Sequence, residues 1–319
     1  PNYFGNMGKD HIRKNLIFAD TFRLSISSFQ AGLIDQLARH LKEFFILHNF
    51  GTRQSKGFGS FTIGENLVEQ LTRAVDFSFV IDTSAQLGKA THKDYNQMNS
   101  HQQSVCSLFT QIELFYKSLR SGINTGERSG KTRFYIKPAI FHYAKDVLNQ
   151  QWDKKSIKAT YLGDHLQSQK QKYPQNEVLH FESRRSGRHH LLLKDLFGLS
   201  SLESWRSYEA TVKKTHPGKV IDRLQSPFTF IPVRTGKSKY TVGVKISETP
   251  GRFLNQTFDI QFKGSRRLQL TTPDHFDWND FMKYLRNDIP PLEERSESNQ
   301  GLTRQPEYQI LSNIYDQIK

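Results

Sequence analysis

Strand-like and helix-like patterns alternate along the N-terminal part of the chain, and this alternation limits the possible folds more than any other feature. An extended apolar stretch covers residues 15–26. Large apolar residues then recur every four positions between residues 33 and 45, as on the buried face of an amphipathic helix. A glycine-rich loop at 51–60 runs into an apolar segment at 61–63 that is predicted to be a strand, and a helix pattern at 65–74 and a strand pattern at 77–81 follow. This order predicts a domain that mixes helices with strands.

The remainder of the chain carries further helix and strand patterns. An apolar stripe from 105 to 119 predicts a long helix that ends at Gly122. The later half reads as mainly strand, and the segments predicted after residue 227 are strands at 228–233, 240–246 and 253–262 and helices at 278–285 and 308–318. Two polar stretches, 82–101 and the residues after 290, are predicted to be a loop or linker.

The charge balance predicts a polyanionic partner. The chain has 45 Lys and Arg against 31 Asp and Glu, for a formal net charge of +14. Such a surplus attracts polyanions, of which nucleic acid is the most common, while an anionic membrane or an acidic protein is the alternative. With 24 Phe and 12 Tyr the chain also has enough apolar area for folded cores.

Cysteine usage and hydropathy exclude several classes of protein. Cys106 is the one cysteine, so no disulfide within the chain and no thiolate zinc site are expected. No HExxH motif is present, and neither a metal nor a cofactor is predicted. No apolar run long enough to span a membrane and no signal peptide are visible, so we expect a cytoplasmic protein without a membrane partner.

The glycine-rich loop carries the strongest functional signal. Glycine accepts positive φ and allows close approach to a ligand, and successive amide groups form an anion-binding concavity. Full positive charges and one aromatic ring lie within the same loop. The residues predicted to bind RNA here are Gly51, Arg53, Lys56, Gly57, Phe58 and Gly59. A solvated turn is the alternative, and Phe58 can either stack on bases or fill the core beneath the loop.

Two other basic segments are weaker candidates for phosphate contact. The stretch 126–132 resembles a Walker A loop but has three residues between its glycines where four are required, so an NTPase is not expected. The cations predicted to contact RNA are Arg128, Lys131, Arg133, Arg184, Arg185 and Arg188. A solvated charged surface is the alternative for both segments.

Three residues are candidates for catalysis. Asp20 lies inside an apolar stretch, where it could take part in RNA cleavage or cap the next element. His189 and His190 are adjacent, so a strand would send them to opposite faces, and at most one could act as an acid or base. None of the three has a partner in a recognisable motif.

Three segments resemble the RAMP superfamily, the repeat-associated mysterious proteins of CRISPR systems. Asn15-Leu16-Ile17-Phe18-Ala19-Asp20-Thr21-Phe22 is similar to its apolar strand, and 51–59 is similar to its basic glycine-rich loop. Residues 221–227 resemble an Arg-x-x-Ser-Pro element of its larger members. The resemblance is strongest over 15–63, and it places Asp20 in a strand better than in a cleavage loop.

The resemblance implies an α+β fold built from ferredoxin-like (RRM-like) domains with antiparallel sheets, two in this chain, plus helical insertions. We expect a first domain at 1–100 with the glycine loop, incomplete at its N-terminus, and a helical and basic insertion at 101–190. A second β-rich ferredoxin-like domain is expected at 191–290, and a linker with a C-terminal helix at 291–319.

The leading hypothesis implied by the resemblance is an RNA-binding subunit of a type III-like CRISPR ribonucleoprotein in antiviral defence. Its expected partners are the guide RNA and other CRISPR effector subunits. Binding is preferred to catalysis, and the alternatives are a metal-independent endoribonuclease that processes repeat RNA and a basic scaffold protein for acidic partners.

Overall fold

The computed structural model describes residues 21–51, 53–64, 66–85, 95–126, 134–150, 153–154, 157, 191–205, 210–218, 220–262, 268–296 and 300–318. The α-helices in these ranges are α1 Leu33–Leu47, α2 Leu67–Ala74, α3 Ser100–Arg120, α4 Ala139–Asp146, α5 Trp278–Asn287 and α6 Pro306–Ile318. The strands are β1 Phe77–Asp82, β2 Ile123–Thr125, β3 Phe134–Ile136, β4 Leu202–Trp205, β5 Ala210–Thr215, β6 Phe228–Arg234, β7 Lys239–Ile246, β8 Thr257–Phe262 and β9 Leu268–Thr271.

The chain divides into two compact units that interleave along the sequence. The first unit comprises Pro1–Tyr116, Phe228–Ser247 and Thr303–Lys319, and the second comprises Lys117–Pro227 and Glu248–Leu302. The domains predicted from the sequence are continuous segments, whereas each unit combines distant segments. The reason in the first unit is strand pairing, because the β6–β7 hairpin joins β1 in one sheet.

The first unit is organised around an antiparallel sheet with the strand order β1-β7-β6. Its core is aromatic: the rings of Phe79 and Phe115 are 5.1 Å apart, and that of Phe230 lies 6.3 Å from Phe115. Tyr315 of α6 reaches the same cluster at 5.9 Å. Such edge-to-face pairs stabilise a core beyond the area that they bury.

The second unit contains an antiparallel sheet of order β4-β5-β8-β9 and the short hairpin β2-β3. Its helices α4 and α5 meet through aromatic rings, with Tyr143 5.3 Å from Phe281. Helix α5 begins where the Asp277 carboxylate accepts a hydrogen bond from the amide of Asn279 at 2.7 Å. Both units are thus α+β with antiparallel sheets, which confirms the predicted fold class.

Most predicted elements are confirmed, but four local predictions are wrong. Residues 21–28 form no strand, and the rest of the predicted strand at 15–26 lies outside the described residues. Residues 61–63, directly after the glycine loop, form no strand either. The strand predicted from 253 begins only at Thr257, because Asn255 takes a positive φ of 53°. The part of the predicted linker at 291–296 is packed, because Leu292 and Arg295 are buried.

The fully buried Arg295 explains why that stretch is ordered. Its guanidinium donates hydrogen bonds to the carbonyl oxygens of Lys137 at 3.1 Å and Ser118 at 2.9 Å.

None of the described helices has the length and apolar character needed to cross a membrane. The described residues also contain no group of three or more His, Cys, Asp or Glu side chains arranged to hold a metal ion.

Candidate nucleic-acid interface

The glycine loop has the left-handed backbone that its composition predicts. Gly51, Gly57 and Gly59 have φ values of 80°, 87° and 71°, and Arg53 has a φ of 57°. Between them Gln54–Lys56 form a 3-10 turn, in which the Lys56 amide donates to the Arg53 carbonyl at 2.8 Å. Left-handed conformations cost little only for glycine, so the three glycines set the path of the loop.

A backbone contact closes the base of the loop. The amide of Phe50 donates to the carbonyl of Gly59 at 2.9 Å. A Cβ added to Gly59 would lie 1.9 Å from the Phe50 carbonyl oxygen, whereas a Cβ added to Gly51 would meet nothing within 4 Å. Gly59 is therefore required for a close approach of two backbone segments, and Gly51 only for its φ.

The loop covers the outer edge of β6. The Asn49 side-chain amide donates to the carbonyls of Gln54 and Phe230, both at 2.7 Å. The Ser60 hydroxyl donates to the carbonyl of Pro232 at 3.1 Å. A proline has no N–H for a sheet partner, so Pro232 belongs on an edge strand, and the loop supplies side-chain donors there instead of a strand.

Two loop side chains that were predicted to contact RNA are turned towards α3. The Lys56 ammonium lies 2.7 Å from the centroid of the Tyr116 ring, and its nitrogen is buried. The Phe58 ring stacks on Phe109 with centroids 3.8 Å apart and an interplanar angle of 12°. A cation over an aromatic face is stabilised electrostatically, so Lys56 contributes to holding the loop in place.

Among the predicted site residues that the structure describes, Arg53 is the one with a side chain that is classed as exposed. Arg53 is the residue directly before the 3-10 turn, and Gly57 is the residue directly after it; both have a left-handed backbone. The loop therefore combines a well-packed base with an exposed arginine. This geometry suits an anionic strand that passes over the loop.

The other predicted site residues lie outside the described residues. They are Asp20, Arg128, Lys131, Arg133, Arg184, Arg185, Arg188, His189 and His190. Their phosphate-binding or catalytic roles stay predictions. The predicted site residues that the structure does describe all belong to the glycine loop, and it brings them together there.

An apolar groove with a volume of about 420 Å³ lies next to the residues that flank the glycine loop. Phe50 and Phe61, which flank the loop in sequence, line it together with Phe22, Phe44 and Phe45. The rings of Phe22 and Phe61 are 4.3 Å apart, and Phe22 is 44% exposed. The extended stretch that was predicted to be a strand thus forms one wall of this groove.

Sequence reasoning missed a buried charge cluster in the second unit. The Lys214 ammonium contacts the carboxylate of Asp195 and lies 3.2 Å from that of Glu203, which also binds Lys194. Asp153 joins the cluster by accepting a hydrogen bond from the Lys194 amide at 3.2 Å. No local pattern distinguishes these residues from surface charges, which is the usual expectation for such side chains.

The cluster perturbs the protonation of its members. Burial alone would raise the pKa of Glu203, but Lys194 and Lys214 hold it well below its usual range. Burial, and next the Asp195 carboxylate, raise the pKa of Asp153 to about 6. Charges this deeply buried must be paired, so the cluster belongs to the interior of the second unit and is not a surface for RNA.

Family comparisons identify both parts of the chain. Residues 1–123 match the family described as the Cmr1 N-terminal domain, and residues 135–309 match the family described as the Cmr1 C-terminal domain. No curated protein and no solved structure gave a match. The two family matches together cover most of the chain.

Proposed function

Because the chain belongs to the Cmr1 family, whose members are RAMP-like subunits of type III-B CRISPR effector complexes, we propose that it binds RNA through its glycine loop. The family confirms the resemblance to the RAMP superfamily and supports other CRISPR effector subunits as partners. The guide RNA as ligand, the loop as its site and the cytoplasm as its location are proposals.

The observation that carries the proposal is the fixed geometry around Arg53. The loop is pinned to β6 through Asn49 and Ser60 and to α3 through Lys56, and it leaves the Arg53 side chain exposed. A rigid loop loses little conformational freedom when a ligand binds, which favours affinity. Arg53 is exposed, and an arginine guanidinium matches the geometry of a phosphate group.

The position of Lys56 lowers the number of phosphate contacts expected from the loop. Its ammonium can reach a phosphate only after leaving the Tyr116 ring, where it is buried. We therefore assign one phosphate contact to Arg53 and a positioning role to Lys56. The cations at 128–133 and 184–188 are proposed as further contacts along the same RNA.

The salt dependence of RNA binding tests the proposal. The change is Arg53→Gln, measured by fluorescence anisotropy with a labelled single-stranded RNA over a range of salt concentrations. Losing one phosphate contact should lower the slope of log K against log salt by about 0.7 and weaken binding about 5-fold at 0.1 M salt. The loss should be equal for unrelated RNA sequences, because backbone contacts carry no sequence information.

Arg73→Gln is the matched control. Arg73 is exposed, and its guanidinium already pairs with Glu69 at 2.6 Å. Arg73 lies on α2, outside the glycine loop, so the control removes the same formal charge away from the proposed site and its slope should stay at the wild-type value. An Arg53→Gln slope equal to that of the control would remove the loop from the RNA site.

Lys56→Gln separates the two roles assigned to the loop cations. If Lys56 only positions the loop, this variant should lower thermal stability and leave the salt slope nearly unchanged. A slope reduced by about 0.7 would instead restore Lys56 as a second phosphate contact.

A separate incubation of the RNA with the protein in EDTA tests the alternative of metal-independent cleavage. RNA that stays intact would favour binding over cleavage.

A further inference from the structure

The hairpin turn between β6 and β7 is a second basic glycine turn, and it did not feature among the predicted sites. Residues 234–239 read Arg-Thr-Gly-Lys-Ser-Lys, and all three cations are exposed. The turn thus repeats the composition of the glycine loop, with hydroxyl side chains between cations. It belongs to the first unit, as the glycine loop does.

Backbone hydrogen bonds give this turn a defined shape. The amides of Thr235 and Gly236 both donate to the carbonyl of Lys239, at 2.9 and 3.2 Å. From the end of β1, the amide and the hydroxyl of Thr83 donate to the carbonyl of Ser238, at 2.8 and 3.0 Å. The turn is therefore anchored from within and from the neighbouring strand.

The Arg234 side chain is ordered as part of the turn. Its Nε donates to the carbonyl of Gly236 at 3.2 Å, and one Nη donates to that of Lys237 at 3.5 Å. These bonds hold the guanidinium beside the Lys237 backbone and leave other N–H groups for a ligand, because a guanidinium has five. The fork is thus held in place before any anion binds.

Little negative charge compensates the turn. Within the described part of the chain, no carboxylate oxygen lies within 4.0 Å of the side-chain nitrogens of Arg234, Lys237 or Lys239. Asp82 is paired with Lys239 in the sheet register, and its carboxylate accepts a hydrogen bond from the Ser84 amide at 2.8 Å. Because none of the three cations forms an ion pair with a described carboxylate, the turn presents positive charge at the surface.

The turn continues the strand on which the glycine loop rests. Asn49, just before the loop, and Ser60, at its end, donate to the carbonyls of Phe230 and Pro232, and Arg234 is the last residue of the same strand. Two residues of an extended strand span roughly 7 Å, so the turn begins close to where the loop contacts end. One flexible anionic chain can therefore reach both.

We propose that the 234–239 turn binds the sugar–phosphate backbone of the RNA strand that the glycine loop holds. This assignment rests on the proposed function for the identity of the ligand. Arg234 binds a phosphate through its ordered fork, Lys237 neutralises a second phosphate as a point charge, and the hydroxyls of Thr235 and Ser238 add donors.

The test uses the full chain with Arg234→Gln and Lys237→Gln combined, in the same anisotropy titration with single-stranded RNA. Two lost contacts should lower the salt slope by about 1.4 and weaken binding about 25-fold at 0.1 M salt. The control combines Arg73→Gln with Lys283→Gln, which removes the same charge from two exposed ion pairs. A slope equal to that of the control overturns the inference.

The single variant Lys237→Gln tests the contact without altering the shape of the turn, because the Lys237 side chain forms no hydrogen bond with the described residues. It should lower the slope by about 0.7 without changing the melting temperature. A wild-type slope for this variant overturns the contact assigned to Lys237.

Parallel measurements with Arg53→Gln distinguish the two proposals. If Arg53→Gln lowers the slope while the variants of the 234–239 turn keep the slope of their control, this inference is overturned and the proposed function stands. If Arg53→Gln and the turn variants all keep the slopes of their controls, the inference and the proposed function are both overturned. If one RNA contacts both the glycine loop and the 234–239 turn, the slope reductions should add when the variants are combined.

Discussion

The substitution Gly59→Ala tests whether the loop is held by the close approach of its two ends. An alanine Cβ would lie 1.9 Å from the Phe50 carbonyl oxygen and 2.9 Å from the Phe50 nitrogen. Contacts this short cannot be accommodated, so the two segments must separate. That movement breaks the hydrogen bond between the Phe50 amide and the Gly59 carbonyl.

The structure sets the size of the effect. Alanine at a left-handed φ costs about 1–2 kcal/mol, and the lost hydrogen bond costs about 1 kcal/mol more. Displacing Phe50 also weakens its ring contacts with Phe45 at 5.2 Å and Phe44 at 5.7 Å, each worth about 0.5–1.5 kcal/mol. We expect Gly59→Ala to reduce the free energy of unfolding by about 3–5 kcal/mol.

Gly51→Ala is the matched control because its φ of 80° is similar and its Cβ would meet nothing within 4 Å. It should cost only the backbone term of about 1–2 kcal/mol. The assays are urea denaturation and thermal melting followed by circular dichroism. Gly59→Ala should melt roughly 4–8 °C below Gly51→Ala, as expected for a difference of about 2 kcal/mol. Equal stabilities of the two variants would refute the account of how the loop is closed.

Two further predictions concern the buried charges of the second unit. Lys214→Met should reduce the free energy of unfolding by about 3–5 kcal/mol in urea denaturation, because it leaves Asp195 buried without its ammonium partner. The second concerns pH, because burial raises the pKa of Asp153 to about 6 and lowers that of His142 to about 4. The contribution of Asp153 to the free energy of unfolding should therefore fall by about 3 kcal/mol as pH rises from about 4 to 6. The contribution of His142 has the opposite dependence and should fall by about 3 kcal/mol as pH drops from about 6.5 to 4. Asp153→Asn should make acidification more destabilising, and His142→Gln should make it less so; parallel stability–pH profiles for the two variants would contradict this assignment.

Local periodicity was sufficient to predict many elements but not their partners. The helices predicted from the apolar stripes at 33–45 and 105–119 are confirmed as α1 and α3, because a helix is specified by the spacing of its own apolar residues. Pairing is different: β1 joins β7, where Phe77 lies opposite Val244. Register depends on which faces are buried in the complete unit, and that information is spread over distant segments.

Errors arose where a single backbone or burial choice overrides composition. Nothing in the apolar run at 253–262 indicates that Asn255 takes a positive φ and delays the strand. The polar stretch after 290 contains a fully buried Arg295, which is satisfied by backbone carbonyls. Composition cannot distinguish such a residue from a solvated arginine, because its partners lie far away in the sequence.

The candidate site shows the same limit within one short loop. Arg53 and Lys56 are three positions apart, and the sequence predicted that both would contact phosphate. A left-handed residue followed by a tight turn leaves Arg53 exposed and aims Lys56 at Tyr116, a ring on α3 about sixty positions further along the chain. The net charge of +14 therefore overstates the charge available to a ligand, because a cation on an aromatic ring stabilises the fold. The proposed phosphate contacts must therefore be counted from exposed cations, and that count moves the emphasis from Lys56 to Arg53 and the turn at 234–239.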